Sequence, residues 1–589
     1  MRKVSSGMAA RNSLLEFEGN YVRVRYRLPV DFLAKFCYQE DECLYEIDKD
    51  GSYLIPRGFT ASVADFLLSR GYTLPKTFAG FSLSILDEIK DRLRDYQVDI
   101  VKEALRFLRL QGAATIMMAT GAGKTYTVWA IARILLDAGV VKRVFFVAHT
   151  IDLIMQAAEW ADKWGIPDVS VIYGGLPVVT QRRAIAITSQ TLYNLLTTNP
   201  MPMVSSPYEI DKKLTDLVNP LVIKKKPASV SHLFTDLIID SWKDEMETYE
   251  KYSDTAELDS EDAQKIREAY LKDPNILVIF DETHHVPART ISTIALANPW
   301  SFRIGLSATP WRSDMRTLHI YATVGEVIPR IVTSSELIMR GYSVPIFIIG
   351  YIRNVSVIRM MRESQEIRDA KMAGEGAKLY QAVKRFLYKQ DELRFRALMK
   401  IVKEIPKPGI IIAKEIEPAE KINDMLEKAG YKTRLFTGVV KGMVRKEVLD
   451  LMRNKQIDFA VTTTIANEGL DIPCLASEIL LDGASSLVAP LQRIGRLTRP
   501  CEGKKYGVAV DFMDNIFYFR GHAVIRRLLY KFEPTWVFIK TRSSDGVVEA
   551  LKWIKSLTEK DMAKIISHLL ARRHVDIRKI VLGNFYENL

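Results

Sequence analysis

Residues 118–125 read MATGAGKT, a run whose residue types suit the grip of a phosphate chain. An apolar stretch expected as a strand precedes it, and a stretch expected as a helix opens at Tyr126. In that setting Gly121 and Gly123 let backbone N–H groups turn towards phosphate oxygens, with Thr120 and Ala122 completing the cradle. The helix N-terminus adds a favourable dipole, Lys124 can reach the β- and γ-phosphates, and Thr125 can ligate Mg²⁺. Met118 stands where the full GxxxxGK[ST] pattern has its first glycine, and a lone GKT also occurs in incidental loops. A second run, DETH at 281–284, follows the apolar NILVIF. There Asp281 can hold Mg²⁺ through water while Glu282 orients and deprotonates an attacking water. An exposed acidic pair in a loop is the commoner fate of a DE dipeptide. An Asp at a strand end downstream of a phosphate loop is the better-ordered alternative.

Elements of the right kind surround these runs. From about 93 to 512, short apolar segments alternate with amphipathic ones, the pattern of a parallel α/β sheet. Strands are expected at 115–119, 144–148, 184–188, 276–280 and 304–307, then at 410–413, 433–436, 459–463, 478–481 and 506–511. Two runs of five imply two similarly built lobes with a cleft between them. Before 93, residues 21–28 (YVRVRYRL) alternate like a strand, 42–48 could pair with it, and 60–70 suit a helix, giving a small α+β accessory domain of about 1–90. The first lobe then covers 91–330 with an acidic, partly helical insertion at about 195–272. The second covers 331–545 with a basic helical stretch at about 353–403, and 546–589 form a helical extension. No solenoid repeat or low-complexity tract is present.

The order of the motifs resembles the superfamily 2 helicases and translocases over about 93–512. LRDYQ at 93–97 resembles the adenine-reading Q motif, which implies that the Gln97 amide reads the base. MATGAGKT matches motif I, whose first position this superfamily often leaves non-glycine. Residues 145–156 resemble motif Ia and 187–192 (ITSQTL) motif Ib, which implies nucleic-acid contacts at His149, Thr188 and Gln190. DETH matches motif II and SATP at 307–310 motif III, so the resemblance gives His284, Ser307 and Thr309 a coupling role. Residues 408–414 resemble motif IV, and 462–473 resemble motif V with Gly469 and Asp471 on the nucleotide and Thr463 towards nucleic acid. QRIGRLTR at 492–499 matches motif VI, which implies that Arg496 and Arg499, joined by Gln492, face the γ-phosphate across the cleft. A fixed guanidinium there suits phosphoryl transfer. SSELIMRGYSVPIFI and FRGHAVIRRLLYKF resemble the XPB, UvsW and type III restriction group of duplex-DNA translocases. The resemblance implies the α/β fold of two tandem RecA-like (P-loop) lobes, ATP as substrate, Mg²⁺ as cofactor, and motion on duplex, forked or branched DNA. An RNA helicase, or the motor subunit of a restriction or defence complex working with a nuclease partner, are the alternatives.

Composition is compatible with all of this. The 589 residues are 48% hydrophobic and 26% charged, which excludes disorder as the main state and supplies several cores. A net charge of +12 favours a polyanionic partner. No apolar run approaches the ~20 residues that span a bilayer, and the N-terminal residues lack a secretory apolar core. A cytoplasmic or nucleoid-associated protein without a membrane partner is expected. The four cysteines read as buried or incidental thiols rather than a disulfide framework, and neither they nor the His284–His285 pair has metal-ligand spacing. Tyr126 and Trp129 are expected in the core, and the cations between Arg359 and Arg396 are expected to contact DNA or to form an exposed helix face. Arg23, Arg25 and Arg27 alternate along YVRVRYRL, so a strand would put all three on one face, available for phosphates or simply solvated.

Overall fold

The computed structural model describes residues 14–37, 43–72, 77–82, 89–167, 169–173, 182–197, 261–282, 288–308, 317–437, 442–463, 472, 474–482, 493–533 and 535–571. The chain divides near residue 332 into two compact units, each with its own sheet of parallel strands.

In the first unit a four-stranded antiparallel sheet comes first, formed by β1 (Leu15–Glu18), β2 (Tyr21–Val24), β3 (Glu46–Ile47) and β4 (Tyr53–Pro56) in the order β1-β2-β4-β3. The helix Thr60–Ser69 packs on it, and Phe36, Phe59, Val63 and Leu67 share its core. The expected strand of 21–28 therefore ends at Val24, and the 42–48 segment pairs with β4 rather than with it. This domain is welded to the lobe that follows. Arg57 is fully buried and donates to the carbonyls of Pro299 (2.8 Å) and Ser301 (2.7 Å), with its guanidinium 4.3 Å from the Phe78 ring centre. Arg303, equally buried, donates to Asn20 Oδ1 and to the carbonyl of Thr323. The Ala61 N–H donates to Gln111 Oε1 (2.7 Å), and the Ser62 N–H to Glu326 Oε2 (3.0 Å). Only glycine fits at position 58, where a Cβ would lie 1.9 Å from the Tyr321 carbonyl oxygen.

The six strands of the first lobe are β5 (Ala113–Met117), β6 (Arg143–Ala148), β7 (Ser170–Ile172), β8 (Ala184–Thr188), β9 (Ile276–Phe280) and β10 (Phe302–Ser307). They run parallel in the order β5-β10-β9-β6-β8-β7. Unbroken runs such as ILVIF in β9 are buried throughout, as a sheet covered by helices on both faces requires. The five expected strands are present within two residues, and β7 is added at an edge.

The second unit has seven parallel strands: β11 (Ile346–Arg353), β12 (Gly409–Ile412), β13 (Thr433–Phe436), β14 (Phe459–Thr462), β15 (Ser477–Leu480), β16 (Gly507–Asp514) and β17 (Trp536–Thr541). Their order is β13-β14-β12-β15-β16-β11-β17. Both α/β lobes and the small α+β domain thus agree with the expected fold class. Strand β11 was not among the expected strands; it ends at Arg353, where the stretch expected to be basic and helical begins, and that stretch is helical from Val357 to Ile401. Its cations are largely engaged within the unit. Arg359 binds Asp391, Arg385 binds Glu366, and Lys389 binds Glu415 and Glu417. Arg353 and Arg394 are buried and share Asp514; Arg353 also binds Asp391, and Arg394 also binds Asp482.

The cysteines differ from expectation. Cys37 is bonded to Cys43 and Cys474 to Cys501, so all four are in disulfides. Neither separation, six residues or 27, signals such pairing in sequence; it follows from the fold bringing the segments together. No helix among the described residues is long and apolar enough to cross a membrane.

Candidate functional site

The register of the first-lobe sheet sets one level from which the expected site residues emerge. Ser307 pairs with Met117, Val147 with Phe280, and Ala148 with Thr188. The chain therefore leaves β5, β10, β9, β6 and β8 along one carboxyl edge, the usual place for a ligand in an open parallel sheet. Met118–Thr125 follows β5, Asp281 and Glu282 follow β9, and His149 follows β6. Ser307 ends β10 with its side chain buried, and its carbonyl accepts the Met118 N–H at 3.3 Å.

Gly121 and Gly123 both have φ of +82°, a left-handed conformation that glycine adopts without a Cβ penalty. At Gly123 the space is also taken, because a Cβ would lie 2.8 Å from Gln97 Nε2. The helix Lys124–Asp137 starts at once, and the Thr127 N–H and hydroxyl both donate to the Gly123 carbonyl at 2.9 Å. Gln97 is buried on the helix Asp95–Gln111. Its Oε1 accepts the Arg94 N–H (3.0 Å) and its Nε2 donates to Thr127 Oγ1 (3.0 Å). The Gln97 amide is thus fixed against the Gly121–Gly123 loop through Thr127, a residue not among those expected at the site. Its position four after Gly123, in the first turn of a helix, was the available signal. Tyr126 is half-buried against Trp160 and Trp164, and its hydroxyl donates to the Arg92 carbonyl (3.2 Å); Trp129 is in the core, as expected.

Lys124 Nζ lies 3.3 Å from Glu282 Oε1, both side chains being less than one-fifth exposed. The loop lysine and the second carboxylate of DETH therefore meet. Asp281 is buried; its N–H donates to the Val147 carbonyl (2.9 Å), and its Oδ1 accepts the Glu282 N–H (3.0 Å). Glu282 has φ of +45°. For a residue with a Cβ this backbone conformation costs about 1–3 kcal/mol, and such strain concentrates at functional sites. Here it accompanies the carboxylate that meets Lys124.

Of the residues assigned to nucleic acid, Thr188 is buried and acts as a cap, its Oγ1 lying 2.7 Å from Thr191 Oγ1. Gln190 donates to Asn194 Oδ1 (2.9 Å) along the same helix, and His149 is half-buried. Arg23 is held by Glu18 and Asp48 (2.6 Å), Arg25 by Glu16 (2.6 Å), and Arg27 is exposed. The three do not form one uniform cationic face. In the second unit Thr463 is buried at the end of β14. Arg496 begins a short 3₁₀ turn, Arg496–Thr498, and is buried, as is Arg493. The Thr498 carbonyl accepts from the Val344 N–H (2.9 Å) and Ser343 Oγ (3.1 Å), and the Arg499 carbonyl accepts from Lys504 Nζ (2.9 Å). Burial, reinforced by the Arg499 charge, pushes the Lys504 ammonium down to about 7. Burial raises the Glu478 carboxyl on β15 to about 7, against the pull of Arg496 and Arg493. Neither Lys504 nor Glu478 is among the residues expected at the site from the sequence. His284, Thr309, Gly469, Asp471 and Gln492 lie outside the described residues.

Comparison with known proteins agrees with this layout. Residues 90–312 match the family model "Type III restriction enzyme, res subunit", and residues 393–501 match "Helicase conserved C-terminal domain". A putative helicase of a Sulfolobus islandicus filamentous virus is 31% identical over 41% of this chain and 42% of its own length. The DNA 3'-5' translocase XPB2 of Sulfurisphaera tokodaii is 24% identical over 38% of this chain and 55% of its own. The ATP-dependent RNA helicase SrmB of Haemophilus influenzae is 28% identical over 27% of this chain and 35% of its own. The matches thus span between about a third and just over half of these relatives.

Proposed function

We propose that this chain, which belongs to the superfamily 2 helicases in the branch of the type III restriction and XPB proteins, is an ATP-hydrolysing motor that moves on nucleic acid. The observation that carries the reading is the Lys124–Glu282 ion pair, formed by the phosphate-loop lysine and the carboxylate beside Asp281 at the end of β9. Without nucleotide the two charges neutralise each other. A triphosphate offers Lys124 a stronger anionic partner, and the exchange releases Glu282 to accept a proton from the attacking water.

The backbone N–H groups of residues 121–125 orient the β-phosphate at the helix N-terminus, and the Gln97 amide stands beside the loop to read the base. The donor set suits magnesium, with Thr125 and Asp281 as the residues that would hold it. When bound, Mg²⁺ supplies charge neutralisation to the β- and γ-oxygens. Arg496 and Arg499 supply the guanidinium charge that stabilises phosphoryl transfer.

Duplex, forked or branched DNA is the polymer proposed. The excess of 12 positive charges favours phosphate binding with little sequence preference, and the DNA translocase and restriction-type relatives favour DNA. RNA is the second reading, favoured by the match to SrmB. ATP hydrolysis measured in parallel with single-stranded DNA, duplex, fork, four-way junction and RNA decides between them. Forked or junction DNA is expected to stimulate most; stimulation by RNA alone would overturn the DNA assignment, and the absence of hydrolysis with every polymer would overturn the motor.

A further inference from the structure

Within the first unit a set of aromatic rings lies at the amino edge of the sheet, where β5, β6, β9 and β10 begin, opposite to the edge that carries Lys124 and Glu282. Phe78, Phe81, Pro274, Asn275, Trp300 and Phe302 line a cleft of about 550 Å³ there, and no charged side chain among the described residues lines it. The rings are held from behind. The Phe78 N–H donates to the Leu110 carbonyl (3.0 Å) and the Ala79 N–H to that of Arg109 (3.1 Å), which lays residues 78 and 79 along the end of the helix Asp95–Gln111. Gly112, with φ of +68°, makes the room: a Cβ there would lie 2.5 Å from the Phe78 ring. Phe302 meets Phe78 edge to face with centroids 5.3 Å apart, and Trp300 stacks with it at 6.3 Å and an interplanar angle of 21°. Trp300 is nonetheless 46% exposed, a large apolar surface that the core leaves uncovered.

The unbalanced charges around the cleft are of one sign. Arg57 is fully buried with its guanidinium 4.3 Å from the Phe78 ring centre, and it donates only to carbonyls, so no carboxylate among the described residues answers its charge. At the rim Arg109 and Lys142 are exposed, and neither has a carboxylate partner among the described residues. Lys142 adjoins the lining directly, its N–H donating to the Asn275 carbonyl at 2.8 Å. The rim carboxylates are engaged, Asp137 with Arg133 and Asp273 with the Asn275 N–H (2.9 Å).

We propose that this cleft binds the unpaired bases of single-stranded nucleic acid, such as the open arm of a fork, an inference that rests on the motor reading above. A base is a flat, uncharged ring attached to an anion. The exposed face of Trp300 and the ring of Phe81 take the flat face by stacking, and the Asn275 amide offers hydrogen bonds to the base edge. Arg109 and Lys142 meet the flanking phosphates, and the unanswered charge of Arg57 favours the same sign of partner. In a duplex each base already has neighbours on both faces, so the cleft separates unpaired from paired strand. Because it lies on the sheet edge away from Lys124, a strand held there does not compete with a triphosphate for that lysine.

The test uses the full chain without ATP and compares the wild type with Trp300→Ala, Trp300→Phe and the Arg109→Gln/Lys142→Gln variant. The probes are oligo(dT), a blunt duplex of the same length and thymidine monophosphate. In the wild type, oligo(dT) carrying iodouracil is photocrosslinked and the adducts are mapped, a readout that needs no variant to fold. Trp300→Ala is expected to weaken oligo(dT) binding on the order of 10-fold, with Trp300→Phe recovering most of it and duplex affinity staying within about twofold. Adducts are expected at Trp300 or within residues 78–82, and the Arg109→Gln/Lys142→Gln variant should flatten the log–log salt slope for oligo(dT) by ~0.7 per lost phosphate contact. Oligo(dT) affinity unchanged in Trp300→Ala, an equal loss on duplex, adducts only elsewhere, or no binding of oligo(dT) at all would overturn the inference. Thymidine monophosphate bound as tightly as oligo(dT) would also overturn it, in favour of a small-molecule site. Hydrolysis stimulated by polymer with adducts only elsewhere counts against the cleft alone; adducts in the cleft without hydrolysis on any polymer count against the motor alone.

Discussion

Two ion-pair systems in this molecule use the same chemistry to opposite ends. In the first unit Lys124 meets Glu282 at 3.3 Å, with both side chains partly open to solvent and one charge of each sign. In the second, Arg353 and Arg394 are locked among Asp391, Asp482 and Asp514, and almost no solvent reaches any of the five. The first pair is accessible enough for an arriving phosphate to replace one partner. The second cannot be opened without stranding a charge in the interior, because each aspartate there answers at least one arginine. Burial and the number of partners, rather than the residue types, separate a pair kept for exchange from one kept for architecture.

The sharpest way to break this comparison is at the exchangeable pair. Lys124→Ala is expected to lower ATP hydrolysis on the order of 10³-fold or more, since it removes a cation that stabilises the transferring phosphate, while the melting temperature stays close to wild type. A melting temperature that falls with activity would show that the pair is architectural after all. Asp514→Ala should do the reverse. Two buried guanidiniums lose a shared partner, at about 3–5 kcal/mol of stability, which urea unfolding of the whole chain would register as an earlier transition of the second unit. Stability within about 1 kcal/mol of wild type would mean that the cluster relaxes or admits water.

A smaller effect concerns Glu478, a carboxyl near Arg493 and Arg496 whose buried Oε1 makes no hydrogen bond among the described groups. Its pKa in the folded chain is raised to about 7, so between its ordinary value near 4.5 and 7 the folded state binds more protons than the unfolded. The stability Glu478 contributes is therefore complete below about 4.5 and is lost as pH rises through 7. Lys504 runs the other way: its pKa is lowered to about 7 from 10.5, so its contribution improves as pH climbs above 7. Glu478→Gln should raise the melting temperature relative to wild type more at pH 8 than at pH 5, and an equal difference at both would remove the carboxyl from this account. The least effect belongs to the accessory domain. Arg23→Gln, which breaks contacts to Glu18 and Asp48, should leave the salt dependence of DNA binding unchanged, whereas Arg27→Gln should flatten its log–log slope by at most ~0.9.

What could be read in advance followed hydrophobic runs and local motif chemistry. The first-lobe strands and the turn of Gly121 and Gly123 ahead of the helix Lys124–Asp137 announced themselves because fully buried parallel strands are short unbroken apolar words, and the turn needs glycine at fixed places. The strand β11 was missed despite its apolar IFIIGYIR, which runs directly into a stretch rich in cations. Several of those cations turn out to face carboxylates remote in sequence, such as Asp482 and Asp514 for Arg394, and no local pattern reveals a partner about 90 to 120 residues away. The partner of Cys474, 27 residues on, was hidden in the same way. At the site, the type and order of Lys124, Asp281 and Glu282 were legible; the left-handed backbone of Glu282 and the role of Thr127 as the rest for Gln97 were not, since both arise from the meeting of separate strands and helices.

The junction of Arg57 and Arg303 has one more consequence. A guanidinium satisfied by carbonyls of a neighbouring lobe leaves those carbonyls dry and unpaired if it is withdrawn. The four-stranded sheet and the first lobe should therefore open as a single cooperative unit rather than in sequence. In native-state hydrogen exchange the amides of Ala61 and Ser62, which end on Gln111 and Glu326, should share the protection of β9 and not the faster exchange of a loosely tethered module.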